Sequence, residues 1–360
     1  MSTDDYNAER DALHSSEIFS IVIGSISSIF PLSVVFILIQ RYNTLVRGKS
    51  LIHYVLMIAI ADTMVCLSIA LGFPKSGTKL CFTQGFVLFF FSRLSWLFTD
   101  VLIIQLFFVV VFQRYFLNVK YMHCIVWSLN IVLQLLPFST GTYYGLSDGI
   151  NSCCGLFPGK GTYENYYKWL QYTFNIWLLI SFSIIIILSI VIVLFSFIKK
   201  HNNISSTYLA QRVWSTVILY CVAMMITWVP CTAFFYYFDY AVATGKSISY
   251  FRLYVIGNYL FGITALYGPL LSLIFYTKTV DARRAWMHNL RCIINLVTNI
   301  EIDDREIDDR TTCSSIISID DRYVSEVESI NNIKVTNNMH MNPMNNNDSD
   351  IIRRIDDEGL

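Results

Sequence analysis

The sequence predicts an all-α membrane protein: a seven-transmembrane helix bundle followed by a short amphipathic eighth helix and a disordered C-terminal tail. Three observations predict it. The 360 residues are 54% hydrophobic, 15% aromatic and 14% charged, with a mean hydropathy of +0.50, which is too apolar for an ordinary soluble chain. Windows of about 19 residues resolve seven apolar spans. The longest holds an uninterrupted run from Cys81 to Phe112, about 48 Å long as a helix against a hydrocarbon core of about 30 Å. Inside that run lie Arg93 and Asp100, each costing about 2.5 to 3.5 kcal/mol at a bilayer centre unless it faces protein or water. The third span is therefore expected at the middle of the bundle.

The spans are Ile18 to Ile39, Leu51 to Phe73, Leu80 to Phe112, His123 to Ser139, Leu170 to Ile198, Val213 to Phe238 and Leu253 to Tyr276. They divide the chain into an extracellular N-terminal segment, 1–17, a membrane domain, 18–276, a juxtamembrane helix, 277–298, and a cytoplasmic tail, 299–360. The first residues are acidic rather than basic, so the first span is expected to act as its own insertion signal. About twelve Lys and Arg flank one set of span ends, Arg41, Arg47, Lys120 and Arg283 among them, against about seven on the other. That bias predicts an N-terminus outside and a C-terminus inside. The formal net charge is zero, and no nucleic-acid partner is expected.

Taken in order, the first span carries Pro31, which either kinks the helix or is simply tolerated in lipid. The second has one charge, Asp62, about 16 Å below the outer boundary, and Arg93 of the third lies about 18 Å below it. Two readings follow: the charges pair, or each is hydrated separately in a polar cavity. Asp100, on nearly the same face as Arg93, is a further partner for it through water. Nine cysteines are present, several inside spans, which does not describe a disulfide framework. Cys81 at the outer end of the third span is instead expected to bridge Cys153 or Cys154 in the long loop before the fifth, pinning that loop over the bundle mouth.

The fourth span is the shortest, and the fifth keeps its polar residues, Asn175, Ser181 and Ser183, in its outer half. In the sixth, Trp228 and Pro230 fall together, read as a hinge beside a reporting ring or as an interfacial aromatic with a tolerated proline. The seventh has Gly257, Asn258, Gly262, Gly268 and Pro269, small residues that permit deformation and close helix approach. Beyond it, Val280, Trp286, Leu290 and Ile293 recur opposite Lys278, Arg283, Arg284 and Arg291, the pattern of a basic helix lying on anionic membrane lipids. Cys292 there is a candidate for palmitoylation. The tail from Glu301 repeats acidic IDDR units too polar to bury a core. Thr311, Thr312, Ser314, Ser315 and Ser318 beside them are candidates for phosphorylation, or the tail is an inert solvated segment.

Missing residues narrow the function. The seventh span has no lysine before Lys278, so a retinal Schiff base is not expected. His53, His123, His201 and His288 lie at or beyond span ends, so neither a metal site nor any other cofactor is expected. The halves show no self-similarity of the kind many transporters have, although a seven-helix transporter or channel for a small solute stays the alternative.

Cys81, the mid-helix Ser-Trp-Leu-Phe-Thr at Ser95 to Thr99 and the basic end at Arg114 follow one family's order and approximate spacing, as do Tyr208, Gln211 and Arg212 leading to Trp228. On these residues the chain resembles G-protein-coupled receptors, and among them the cyclic AMP receptor-like group (class E) with related fungal nutrient-sensing receptors. The resemblance runs from about Ile18 to Leu290. Ile58 to Asp62 and Thr227 to Pro230 look more like rhodopsin-like receptors, whereas Gln113 to Tyr115 lies too far from Cys81 for that group's Asp-Arg-Tyr. Tyr267-Gly-Pro likewise stands where Asn-Pro-x-x-Tyr would. The resemblance implies a non-enzymatic plasma-membrane receptor that binds an extracellular ligand and activates a heterotrimeric G protein by movement of the sixth helix. It also implies kinases and arrestin-like proteins as partners of the tail. Arg93, Trp96, Asp62, Asn175, Trp228 and Asn258 are the candidates to line the ligand cavity, and Arg114, Lys120, Lys199 and Arg212 to face the G protein.

Overall fold

The computed structural model describes residues 3–46, 50–72, 74, 78–112, 116, 118–141, 143–145, 154–157, 169–200, 218–220, 222–234, 236–237, 250–279 and 282–289. Helix α1, Thr3–Gln40, is about 57 Å long and starts well before the apolar stretch at Ile18. Nothing between Thr3 and Glu17 breaks a helix, neither Gly nor Pro, so the backbone continues past the point where hydropathy ends. A π-helical turn, Tyr42–Val46, leads to α2, Ser50–Ala70. It terminates at Gly72, whose φ of +71° is left-handed and suits glycine. The buried Gln84 side chain donates to the Ser68 and Gly72 carbonyls, both at 2.6 Å, closing that helix end.

Helix α3, Lys79–Phe112, is buried continuously from Ser92 to Ile103, and it is the central helix. Helix α4, Val119–Leu135, is capped by the Asn118 side chain and runs into a 3-10 turn, Leu136–Thr140. The loop that follows holds a small antiparallel hairpin, β1 Tyr143–Gly145 and β2 Gly155–Phe157, pairing Gly145 with Gly155. This hairpin is an addition to the all-α expectation. Cys154, immediately before β2, is bridged to Cys81; Cys153 lies outside the described residues. Helix α5, Ile176–Lys200, is preceded by a π-helical turn, Gln171–Asn175. Helix α6 is Ile218–Phe234.

The seventh span is broken into α7, Tyr250–Thr264, and α8, Tyr267–Lys278. The break has a backbone cause. Pro269 has no N–H to return to Ala265 four residues earlier, and the Ala265 carbonyl instead accepts from the Cys66 thiol at 3.4 Å. A last helix, α9, covers 282–289. Its Ala282 and Ala285 pack with Val34, Ile37 and Leu38 of α1, while Arg283 and Arg284 stay exposed.

Among the described residues, six segments are long and apolar enough to cross a membrane, α7 and α8 together counting as one, and α6 is a shorter apolar helix. The chain is a multi-pass, all-α membrane bundle. Close approach of α1 to α2 depends on Gly24, because a Cβ there would lie 2.8 Å from the Ala70 amide nitrogen and 3.1 Å from the Cys66 carbonyl oxygen. Gly24→Ala gains about 1 kcal/mol of helix propensity but must push two backbones apart, so a net loss of about 1 to 3 kcal/mol is expected. Thermal unfolding in detergent checks it, and an unchanged or raised midpoint would refute the close packing. At Gly257 the same change meets only the edge of the Phe234 ring and should cost less.

Candidate functional site

The buried polar residues of α3 are sorted by helical angle. At about 100° per residue, Ser95 points about 200° away from Arg93, Trp96 falls between them, and Asp100 returns to nearly the Arg93 meridian two turns on. Each therefore meets a different neighbour.

Arg93 is fully buried and faces α4. Its Nε donates to Asn130 Oδ1 at 2.7 Å, and its terminal nitrogens donate to Gln134 Oε1 and to the Thr173 carbonyl. The two amides are themselves fixed, because Asn130 Nδ2 donates to the Phe90 carbonyl at 3.1 Å and Gln134 Nε2 to that of Phe86 at 2.9 Å. Arg93 thus clamps α3 and α4 to the π-helical turn before α5.

Asp62 is not part of that clamp, which corrects the expected ion pair. Its Oδ1 accepts from Ser95 Oγ at 2.7 Å. The two charges share a depth but lie on opposite sides of α3, and Asp62 reaches the side that carries Ser95. Asp100 is likewise not the partner of Arg93, since Ser181 Oγ of α5 donates to its Oδ2 at 2.6 Å. One turn past Ser95, Thr99 Oγ1 lies 3.3 Å from the Tyr267 hydroxyl of α8. Ser95 and Thr99 together tie α3 to α2 and to the broken seventh span.

Between these polar contacts α3, the π-helical turn before α5 and α6 meet through aromatic rings. Trp96 lies edge-on to Trp228 at 4.7 Å and to Phe174 at 4.8 Å, and Phe174 also touches Phe89 at 4.7 Å. Asn175, next to Phe174 in sequence, is also buried. Trp96 Nε1, Trp228 Nε1 and Asn175 Nδ2 are buried without hydrogen-bond partners. On the far side of Trp228, a cavity of about 10 Å³ is lined by Asp62, Ser92, Ser95, Thr264, Tyr267 and Gly268. A second, also of about 10 Å³, touches Asp62 as well and adds Tyr220 and Ser272. Each has room for about one water molecule, far below the roughly 300 Å³ at which ligand clefts begin.

Trp96 and Trp228 are therefore brought together, Asp62 and Trp228 line one cavity, and Arg93 braces the turn that carries Asn175. Asn258 stands apart: its Nδ2 donates to Ser16 Oγ at 3.1 Å and its carbonyl accepts from Ser20 at 2.9 Å, clasping α7 to α1. Lys120 is exposed at the start of α4. Lys199 ends α5 with its side chain outside the described residues. Arg114, Arg212, Cys292, Thr311, Thr312, Ser314, Ser315 and Ser318 lie outside them altogether. Phe174, Ser95 and Tyr267 were not singled out by sequence as site residues. Ser95 alone carried a signal, as a short hydroxyl two residues from a buried charge.

No protein-family model and no curated protein matches the chain. Among solved structures it is similar to the crystal structure of squid rhodopsin, with a TM-score of 0.58 and 15% sequence identity over 82% of this chain and 89% of that one. At that identity the likeness is one of fold: the chain shares the helix-bundle fold of squid rhodopsin.

Proposed function

We propose that this protein is a non-enzymatic G-protein-coupled receptor of the plasma membrane, N-terminus outside, that binds an extracellular ligand and activates a heterotrimeric G protein. The observation that carries the reading is the aromatic junction of Trp96, Phe174 and Trp228, which joins α3, the π-helical turn before α5 and α6 in mid-bundle. Whatever separates these rings moves α6 relative to α3. The Ser95–Asp62 and Thr99–Tyr267 contacts would carry that movement to α2 and α8. Trp96, Asn175 and Trp228 form the ligand end, with Arg93 and Asp62 supporting it. Arg114, Lys120, Lys199 and Arg212 present positive charge to the G protein, and the phosphorylated tail engages arrestin-like partners. The order of Cys81, Ser95 to Thr99 and Arg114 supports the cyclic AMP receptor-like group.

One observation favours the alternative of a transporter or channel. The seventh span is interrupted beside the buried Asp62, and interrupted helices line ion and solute sites in transporters. A single comparison separates the two: nucleotide exchange on a G protein reconstituted with the protein, against solute flux through proteoliposomes without one. Accelerated exchange is expected. Flux without exchange would replace the receptor with the transporter.

A further inference from the structure

Resting on the receptor reading, we propose that Gln105 is a positioning residue for G-protein coupling: it fixes the connection between α3 and α4, which carries Arg114 and leads into Lys120, against the inner part of α3. From Val101 to Phe112 the sequence has one polar side chain, Gln105, and it is 1% exposed. An amide buried in an apolar membrane helix is costly unless its groups are hydrogen-bonded. The side-chain oxygen of Gln105 accepts the backbone N–H of Phe116 at 3.0 Å. Phe116 follows the last residue of α3, Phe112, whereas Gln105 leaves the helix about 10 Å before that end. Phe116 is therefore drawn back beside the helix instead of continuing beyond it.

Further contacts hold the same connection. The Phe116 ring lies 4.5 Å from that of Phe108, about one turn past Gln105. At the other end, Asn118 Oδ1 accepts the Lys120 N–H at 3.0 Å and the Asn118 carbonyl accepts that of Met122 at 3.2 Å, which sets where α4 begins. Ring packing attaches Phe116 through a side chain, whereas the bond to Gln105 acts on the backbone and so on the residues to either side. The attachment leaves the connection open to a partner, since Phe116 is 45% exposed and Lys120 is exposed. A loop fixed beforehand lowers the ordering cost of binding. The cations at this connection suit an acidic face of the G protein.

The test compares the full chain with Gln105→Leu, Gln105→Glu, Phe116→Pro and Phe116→Leu in nanodiscs. Hydrogen exchange at the Phe116 amide should be about two- to tenfold faster in Gln105→Leu than in the wild type. It should be slow again in Gln105→Glu, whose carboxyl oxygen accepts the same bond. Nucleotide exchange is then measured against G-protein concentration, at a temperature where the wild type and the variants are folded. Gln105→Leu should raise the half-saturating concentration about two- to tenfold and leave the maximal rate unchanged, and Gln105→Glu should restore the wild-type value. Phe116→Pro lacks the N–H and lies outside the helix, so it should reproduce the rise even where Gln105→Leu does not fold; Phe116→Leu, which keeps the N–H, should raise it less. A role in stability alone would lower the thermal midpoint without moving the half-saturating concentration. The proposal is overturned if the Phe116 amide exchanges equally fast in the wild type and in Gln105→Leu, or if Gln105→Leu and Phe116→Pro couple as the wild type does. In those cases a wild type that accelerates nucleotide exchange keeps the receptor reading, whereas a wild type that accelerates none removes that reading and this proposal with it.

Discussion

Arg93→Met should be among the most damaging single substitutions in the bundle, lowering stability by about 3 to 5 kcal/mol. Methionine fills much of the same length, so the loss is not mainly a cavity. It comes from the three oxygens that the guanidinium now holds, Asn130 Oδ1, Gln134 Oε1 and the Thr173 carbonyl. All three residues are buried, and a buried acceptor deprived of its donor costs about 1 to 3 kcal/mol. The π-helical turn before α5 would be released as well, so ligand-dependent nucleotide exchange should fall with stability. Double substitutions locate the partner. Arg93→Met with Gln134→Leu should be milder than the sum of the two, because the change at Gln134 removes the acceptor that the change at Arg93 strands. Arg93→Met with Asp62→Ala should be additive to within about 0.5 kcal/mol. Denaturation of the three single and two double variants in one detergent checks this, and a coupling above about 1 kcal/mol between Asp62 and Arg93 would contradict the geometry.

That contrast shows what the sequence could and could not say about the site. Residue counting fixes depth, since the rise per residue in a helix is constant, and it placed Asp62 and Arg93 at one level. Pairing also depends on azimuth, and azimuth is set by which helices surround α3. Ser95, pointing about 200° from Arg93, receives Asp62 instead. The apolar spans were legible because a bilayer imposes length and composition on any chain that crosses it. The helical extension from Thr3 to Glu17 was not, because hydropathy measures burial in lipid whereas helix propagation needs only the absence of a breaker. Trp96, Asn175 and Trp228 stood out as polar or amphipathic groups in apolar spans. Phe174, which touches both tryptophans, did not, because one phenylalanine among 26 carries no mark of its neighbours. The π-helical turn that presents it is a backbone feature with no residue signature.

The choice between Cys153 and Cys154 was open for a related reason, and it yields the second large effect. Adjacent residues point to different sides of an extended chain, and the pairing of Gly155 with Gly145 fixes how β2 lies. With Cys154 directly before that strand, its sulfur reaches Cys81. Cys154→Ser should therefore free Cys81 and destabilise the protein by about 2 to 4 kcal/mol, whereas Cys153→Ser should leave the midpoint unchanged. The sequence separation of 73 residues would correspond to about 4.5 kcal/mol by chain entropy alone. The intervening helices α3 and α4 remain threaded through the bilayer when packing is lost, so the unfolded ends are already restrained and the smaller figure is expected. Mass mapping under non-reducing conditions, beside thermal midpoints for both variants, decides the matter. A Cys154→Ser protein with an unaltered midpoint and a bridge from Cys81 to Cys153 would show that either thiol can pin the hairpin, and that the strand pairing does not select between them.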